Sequence, residues 1–159
     1  ACVILAEIAA WAKDQGLSLY QLLQKIYVEY GFSKEKGISV VKKGKSGAEE
    51  IEAMMKKFRE NPLTEIAGSK VTYFYDYSTL KGKDYAENET VTLDMPTTSN
   101  VLQYFTEDNT KVSIRPSGTE PKIKFYCEVH SKVKSIDELP EAEKAAEEKI
   151  NQIKASLGI

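Results

Sequence analysis

The order of elements legible in the 159-residue sequence predicts an α+β fold: an antiparallel sheet with helices on one face. Three observations carry that prediction. From Ile38 onward the segments read β-α-β-β-β-β-α, with the strands clustered rather than alternating with helices. The run KIKFYCEVH alternates without a break, Ile123, Phe125, Cys127 and Val129 to one side and Lys122, Lys124, Tyr126 and Glu128 to the other. The last segment, from Pro140, places Ala142, Ala146, Ile150, Ile153 and Leu157 along one helical stripe with charges elsewhere.

Two helices precede this pattern. Ile4, Ile8, Trp11 and Ala12 recur at helical spacing until Gly16, and Ser18 with Gln21 forms a capping box for a second helix that Gly31 ends. ACVILAEIAAWAKDQG begins with its apolar period already running and no basic segment before it, so the sequence reads as part of a longer chain rather than as a signal peptide. The expected division is therefore residues 1–34 as the helical tail of a preceding domain and residues 35–159 as the domain proper.

Within the domain, ISVVKKG is a short strand candidate. Ser46 with Glu49 reads as a second capping box, opening a helix that aligns Ile51, Met54, Met55 and Phe58 and closes before Pro62. KVTYFYDYS sets Val71, Tyr73, Tyr75 and Tyr77 on one face. STLKGKDYAENETVTLDMPTTSN shows no sustained period and is expected to be a loop. NVLQYFT and TKVSIR form a hairpin about the polar link EDNT.

Composition excludes several classes. A hydrophobic content of 42% and a charged content of 29% suit a soluble globular domain. The net charge of -2 gives no basic footprint for nucleic acid. No apolar stretch approaches the roughly 20 residues that span a bilayer, so no membrane partner is expected. Cys2 and Cys127 are too few for a disulfide framework and lack metal-ligand spacing, which points to a reducing, cytoplasmic setting.

The chemistry concentrates in SIRPSGTEPKIKFY. Arg115 ends a strand on the face opposite Val112 and Ile114, which frees its guanidinium from the core. Pro116 and Pro121 bracket the connection and restrict its shapes. Between them Gly118 can take positive φ, and the N–H groups of Ser117, Gly118 and Thr119 can turn inward as an anion nest beside two hydroxyls. Arg115 offers a planar fork suited to phosphate or carboxylate, and Lys124 on the outer face of the next strand adds a point charge. Pro-Ser-Gly-Thr is also good turn chemistry, and a strand-end arginine is commonly just solvated, so residue types alone leave both readings open.

Other candidates offer less. His130 is the only histidine and stands past the expected strand end without a partner; Cys127 faces the core; Asp76 and Asp94 are isolated, so no metal site is expected in this segment.

RPSGTEPKIKFY resembles the phosphate-binding loop in the C-terminal domain of the α-D-phosphohexomutases, the phosphoglucomutase/phosphomannomutase family. SNVLQYFTEDNTKVSI and RENPLTEIAG resemble the segments around it, and the first 32 residues resemble the helices closing that family's third domain. The resemblance implies a TBP-like fold and a four-domain isomerase that moves a phosphoryl group between the 1- and 6-positions of a hexose. In it, a phosphoserine and an aspartate-bound Mg²⁺ lie in other domains and a third-domain loop grips the sugar hydroxyls, while this domain anchors the phosphate that is not reacting. Carried over position by position, Arg115, Ser117, Gly118 and Thr119 match the binding loop, Lys124 stands where relatives often carry a basic residue, and Glu120 and Pro121 match as shaping residues. No serine nucleophile loop or Asp-rich metal loop occurs here, so no catalytic residue, no metal ligand and no turnover by this segment alone are expected. The expected partners are a sugar phosphate and the upstream domains of the same chain; KIKFY resembles the phosphoglucomutase branch and leans the sugar to glucose.

The competing reading is a stand-alone module, either a nucleic-acid binder using the tyrosines as a stacking row or an interaction domain using the N-terminal helices. The acidic balance and the lack of a basic sheet face count against the first.

Overall fold

The computed structural model describes residues 1–42 and 44–159. Two helices, α1 (Cys2–Asp14) and α2 (Leu19–Tyr30), lead the chain. The expected capping box is present: Ser18 Oγ accepts from the Gln21 N–H at 3.2 Å, and Gln21 Oε1 accepts from the Ser18 N–H at 2.9 Å. Strand β1 (Phe32–Val41) and helix α3 (Gly44–Glu60) follow. Next come β2 (Glu65–Ile66), β3 (Ser69–Asp76), β4 (Lys81–Asp84), β5 (Glu89–Thr92), β6 (Leu102–Thr106), β7 (Lys111–Pro116) and β8 (Lys122–Ser131). A single 3₁₀ turn (Ile136–Glu138) leads into α4 (Leu139–Leu157), with Pro140 in its first turn and left-handed Gly158 at its end.

The fold is α+β, and every paired strand is antiparallel, in the order β1-β8-β7-β6-β3-β4-β5, with β2 paired to β3. Ile51, Met55 and Phe58 of α3 and Ala146, Ile150, Ile153 and Leu157 of α4 cover one face. The four apolar residues of β8 all point into this core, as their alternation requires. Phe125 is completely buried and meets Phe58 edge-on, ring centroids 6.0 Å apart. Cys127 sits in the same layer, where burial pushes its thiol up to about 11, so it is inert at neutral pH. Tyr104 is buried too, its phenol pKa driven up by desolvation and its hydroxyl donating to the Phe58 carbonyl at 2.9 Å.

Among the described residues the sheet has eight strands where the sequence predicted five. Strand β1 begins at Phe32, not Ile38, and so crosses the boundary expected after residue 34. Its lysines disguise it: Lys34 and Lys36 share the inward face with Ile38 and bond Glu143 and Glu147 of α4, the first pair at 2.7 Å. Inward charges on an edge strand also guard it against pairing with another chain. Lys43, part of the candidate strand ISVVKKG, lies outside the described residues. The capping box expected at Ser46 does not form, because α3 is already running at Gly44.

The segment expected to be one long loop contains the β4–β5 hairpin. Its turn is built by Asp84, whose Oδ1 accepts from the N–H groups of Ala86 and Glu87 at 2.9 and 3.2 Å, and by Asn88 at φ 55°. Gly82 is required in β4: a Cβ there would lie 2.4 Å from the Tyr75 ring. In β3 the register shifts between Val71 and Tyr73, so Val71 turns inward together with Phe74 and Asp76, while Tyr73 and Tyr75 face out. Val71 and the tyrosines therefore do not share a face.

Among the described residues no helix packs on the other face of the sheet, which carries Arg115, Lys124, Ser113, Tyr126, Gln103, Phe105 and the outward tyrosines. Among α1 and α2, only Ala12 is fully buried, and α2 meets the core through Tyr27 and Val28. Val3, Ile4, Trp11, Tyr20 and Tyr30 remain more than half exposed.

Candidate functional site

The loop between β7 and β8 is held at its base by three short backbone bonds. The Ser117 N–H donates to the Lys122 carbonyl at 2.8 Å, and the Lys122 N–H donates to the Glu120 carbonyl at 2.7 Å. From outside, the Lys42 N–H at the end of β1 donates to the Pro121 carbonyl at 2.9 Å, tying the loop to the start of α3. Ser117 is thus a structural donor, and the expected set of three free amides is reduced to two. The Gly118 N–H has no partner among the described residues, and the Thr119 N–H has only a long contact of 3.5 Å to Ser117 Oγ. Nor does Gly118 adopt the positive φ expected of it; a Cβ added there would meet nothing within 4 Å.

Arg115 leaves β7 on the helix-free face and is exposed, opposite in direction to buried Val112 and Ile114. Its direct register partner is Lys124 of β8. Two cations facing each other across an antiparallel pair repel. Among the described residues neither forms an ion pair. The nearby acid is committed elsewhere: Glu120 is bonded by Lys122, whose hydrogen bond and charge hold its carboxyl below the usual range, with Lys124 a weaker contributor. The structure therefore gathers two unneutralised cations on one side of a loop that offers two available amides and the hydroxyls of Ser117 and Thr119. A guanidinium, an ammonium, free amides and hydroxyls are each groups of the kind that bind a tetrahedral dianion.

On the α3 side of the same loop lies a cavity of 880 Å³. Ser117, Gly118 and Thr119 line it, with Ile51 and Met55 among the α3 residues and Lys56, Arg59 and Asn100 beyond them; Arg115 and Lys124 do not. Sequence reasoning missed Arg59 and Asn100. Arg59 Nε donates to Asp76 Oδ2 at 3.0 Å and Nη2 to Asn100 Oδ1 at 2.8 Å. Asp76, 6% exposed, also accepts from the N–H and hydroxyl of Ser78. It is a paired structural carboxylate rather than an isolated one, and nothing in the sequence spacing links residues 59, 76 and 100.

His130 lies inside β8, not beyond it, and has a partner: its Nε2 is 2.7 Å from Glu128 Oε1. Burial opposes ionisation of Glu128, but bonds from Lys111 and His130 outweigh it and keep the carboxyl below its usual range. Among the described residues no group of three or more His, Cys, Asp or Glu side chains could hold a metal ion. Among the described residues no helix is long and apolar enough to cross a membrane.

Known proteins match this chain in sequence. Residues 38–146 match the family model for the phosphoglucomutase/phosphomannomutase C-terminal domain. A phosphoglucomutase of Staphylococcus haemolyticus is 37% identical over 118 residues, 74% of this chain and 21% of its own length. One of Staphylococcus saprophyticus is 33% identical over 124 residues, 78% of this chain and 22% of its own. Among solved structures, the open form of pp63/parafusin from Paramecium, a phosphoglucomutase, superposes with a TM-score of 0.38 at 15% identity, covering 74% of this chain and 19% of that one. The chain thus spans about a fifth of the length of the curated relatives it matches. With the model matched from the end of β1 into the first half of α4 and across the whole β7–β8 loop, the chain belongs to the phosphoglucomutase/phosphomannomutase family, in the part that forms its C-terminal domain.

Proposed function

We propose that this domain anchors the phosphate group of a hexose phosphate, most favourably a glucose phosphate, within an enzyme that interconverts the 1- and 6-phosphates. The observation that carries the reading is the Arg115–Lys124 pair, two facing cations with no acidic partner beside the available amides of Gly118 and Thr119. Like charges directly across a sheet cost stability, and a dianion between them would turn the cost into attraction. Ser117 supplies its hydroxyl, since its N–H closes the loop.

The role in the reaction follows from the grip. An anchored remote phosphate supplies binding energy that orients the reacting end of the sugar. A bisphosphate intermediate must turn over between half-reactions, and a site that reads only phosphate holds either end equally well. The nucleophile and Mg²⁺ belong to other domains of the complete enzyme, which are this domain's partners along with the cytoplasmic sugar phosphate; the chain alone turns over no substrate. The exposed apolar residues of α1 and α2 are the surface those domains cover.

The test is titration of the isotope-labelled chain with inorganic phosphate. The Gly118 and Thr119 amide resonances should move saturably, and Arg115→Ala should weaken the interaction by about tenfold or more, the value of one charge-assisted contact. Unmoved loop amides, or equal binding by the variant, would remove the loop from the site.

A further inference from the structure

We propose that the helix-free face of the sheet beside the loop reads the sugar ring, with Tyr126 as a stacking platform and Ser113 as a hydroxyl contact positioned by Gln103. This rests on the phosphate reading above and extends it to the ring that bears the phosphate.

Tyr126 follows Lys124 by two residues in β8, so both side chains leave the same face, roughly 6.6 Å apart along the strand. That is a reach suited to a phosphate and the ring that bears it. The direct neighbours of Tyr126 are Ser113 on β7 and Gly37 on β1. Gly37 has no side chain to cover the ring, and even an added Cβ would lie 3.9 Å from it. Tyr126 consequently remains 45% exposed, flat apolar surface set next to two cations.

The polar groups around it are ordered. The Tyr77 hydroxyl donates to Gln103 Oε1 at 2.8 Å, which fixes the amide so that Gln103 Nε2 donates to Ser113 Oγ at 3.0 Å. The Ser113 hydrogen then has no acceptor among the described residues and is left to donate outward. Gln103 is the positioning residue in this relay. A hollow of 460 Å³ opens over Gln103, Ser113 and Tyr126, and the Lys111–Glu128 pair bounds it. A pyranose offers two kinds of surface, a C–H face that lies on an aromatic plane and a rim of hydroxyls. This hollow supplies the complement of each: a tyrosine plane, an outward hydroxyl donor and a carboxylate held ionised by Lys111 and His130.

The 159-residue chain would be titrated with inorganic phosphate, methyl phosphate, glucose 1-phosphate and mannose 1-phosphate, following the amides of Gly118 and Thr119, the amide of Ser113 and the ring of Tyr126. All four probes should move the loop amides; only the sugar phosphates should move Ser113 and Tyr126. The sugar phosphates should bind about three- to tenfold tighter than methyl phosphate, the scale of one aromatic contact. Tyr126→Ala should abolish that advantage, Tyr126→Phe should keep it, and Ser113→Ala should reduce it about twofold. Gln103→Leu should act as Ser113→Ala does while leaving methyl phosphate binding unchanged. Equal binding of methyl and sugar phosphates, with Tyr126 unmoved, would overturn the platform and leave the phosphate reading standing. If none of the probes moved Gly118 or Thr119, both would fall.

Discussion

Phe125→Ala is expected to lower the stability of the domain by about 3–5 kcal/mol, the usual cost of emptying a buried aromatic site. The residue is completely buried on β8, between Ile38 of β1 and Ile114 of β7 in register, and its ring meets Phe58 of α3 edge-on. Truncation therefore removes contacts to both neighbouring strands and to the helix above them. It also removes an aromatic pair worth about 0.5–1.5 kcal/mol beyond its area. Against a typical total of about 5–15 kcal/mol, the loss takes a large share. Urea unfolding should show the midpoint falling with the slope unchanged, and the melting temperature should drop by roughly 2–4 °C for each kcal/mol. A loss below about 1 kcal/mol would mean that the α3–sheet interface collapses around the gap and is less tightly packed than described.

The second large effect concerns function. In a complete phosphohexomutase carrying this domain, Arg115→Ala should lower kcat/KM for the hexose phosphate by roughly ten- to a hundredfold, corresponding to about 1.5–3 kcal/mol for a charge-assisted phosphate contact. Lys124→Ala should act in the same direction but less strongly, because an ammonium makes one bond where the guanidinium fork makes two. The two losses should not add, since each variant also relieves the repulsion between the facing cations. Arg115→Lys should recover only part of the activity, because the fork geometry is lost while the charge stays. Stability should respond in the opposite sense: removing one of two unneutralised cations should leave the unfolding midpoint unchanged or slightly raised. A drop in stability large enough to explain the kinetic loss would assign Arg115 a structural role instead.

What the sequence made legible depended on how local the cause was. The alternation of β8 was readable because each of Ile123, Phe125, Cys127 and Val129 needs only its own strand's pleat to find the core. The Ser18–Gln21 box was readable for the same reason, as it spans one turn. Strand β1 was shortened in the reading because Lys34 and Lys36 look outward by composition, and only α4, more than a hundred residues away, supplies the glutamates that let them point in. The β3 bulge is a one-residue shift that alternating tyrosines cannot reveal, and the β4–β5 strands are four residues each, too short for a period to declare itself. At the site, the alternation in TKVSIR and KIKFY correctly sent Arg115 and Lys124 to the outer face. That they stand opposite each other is a matter of register, and that Ser117 spends its amide on Lys122 is a matter of how the hairpin closes.

Soaking crystals of the chain with phosphate, and locating the bound ion, tests the central claim most directly. The account predicts density for one phosphate on the helix-free side of the loop, within hydrogen-bonding distance of the Arg115 guanidinium, the Lys124 ammonium and the N–H groups of Gly118 and Thr119. Density instead in the α3-side cavity against Lys56 and Arg59, with Arg115 and Lys124 left facing solvent, would contradict it.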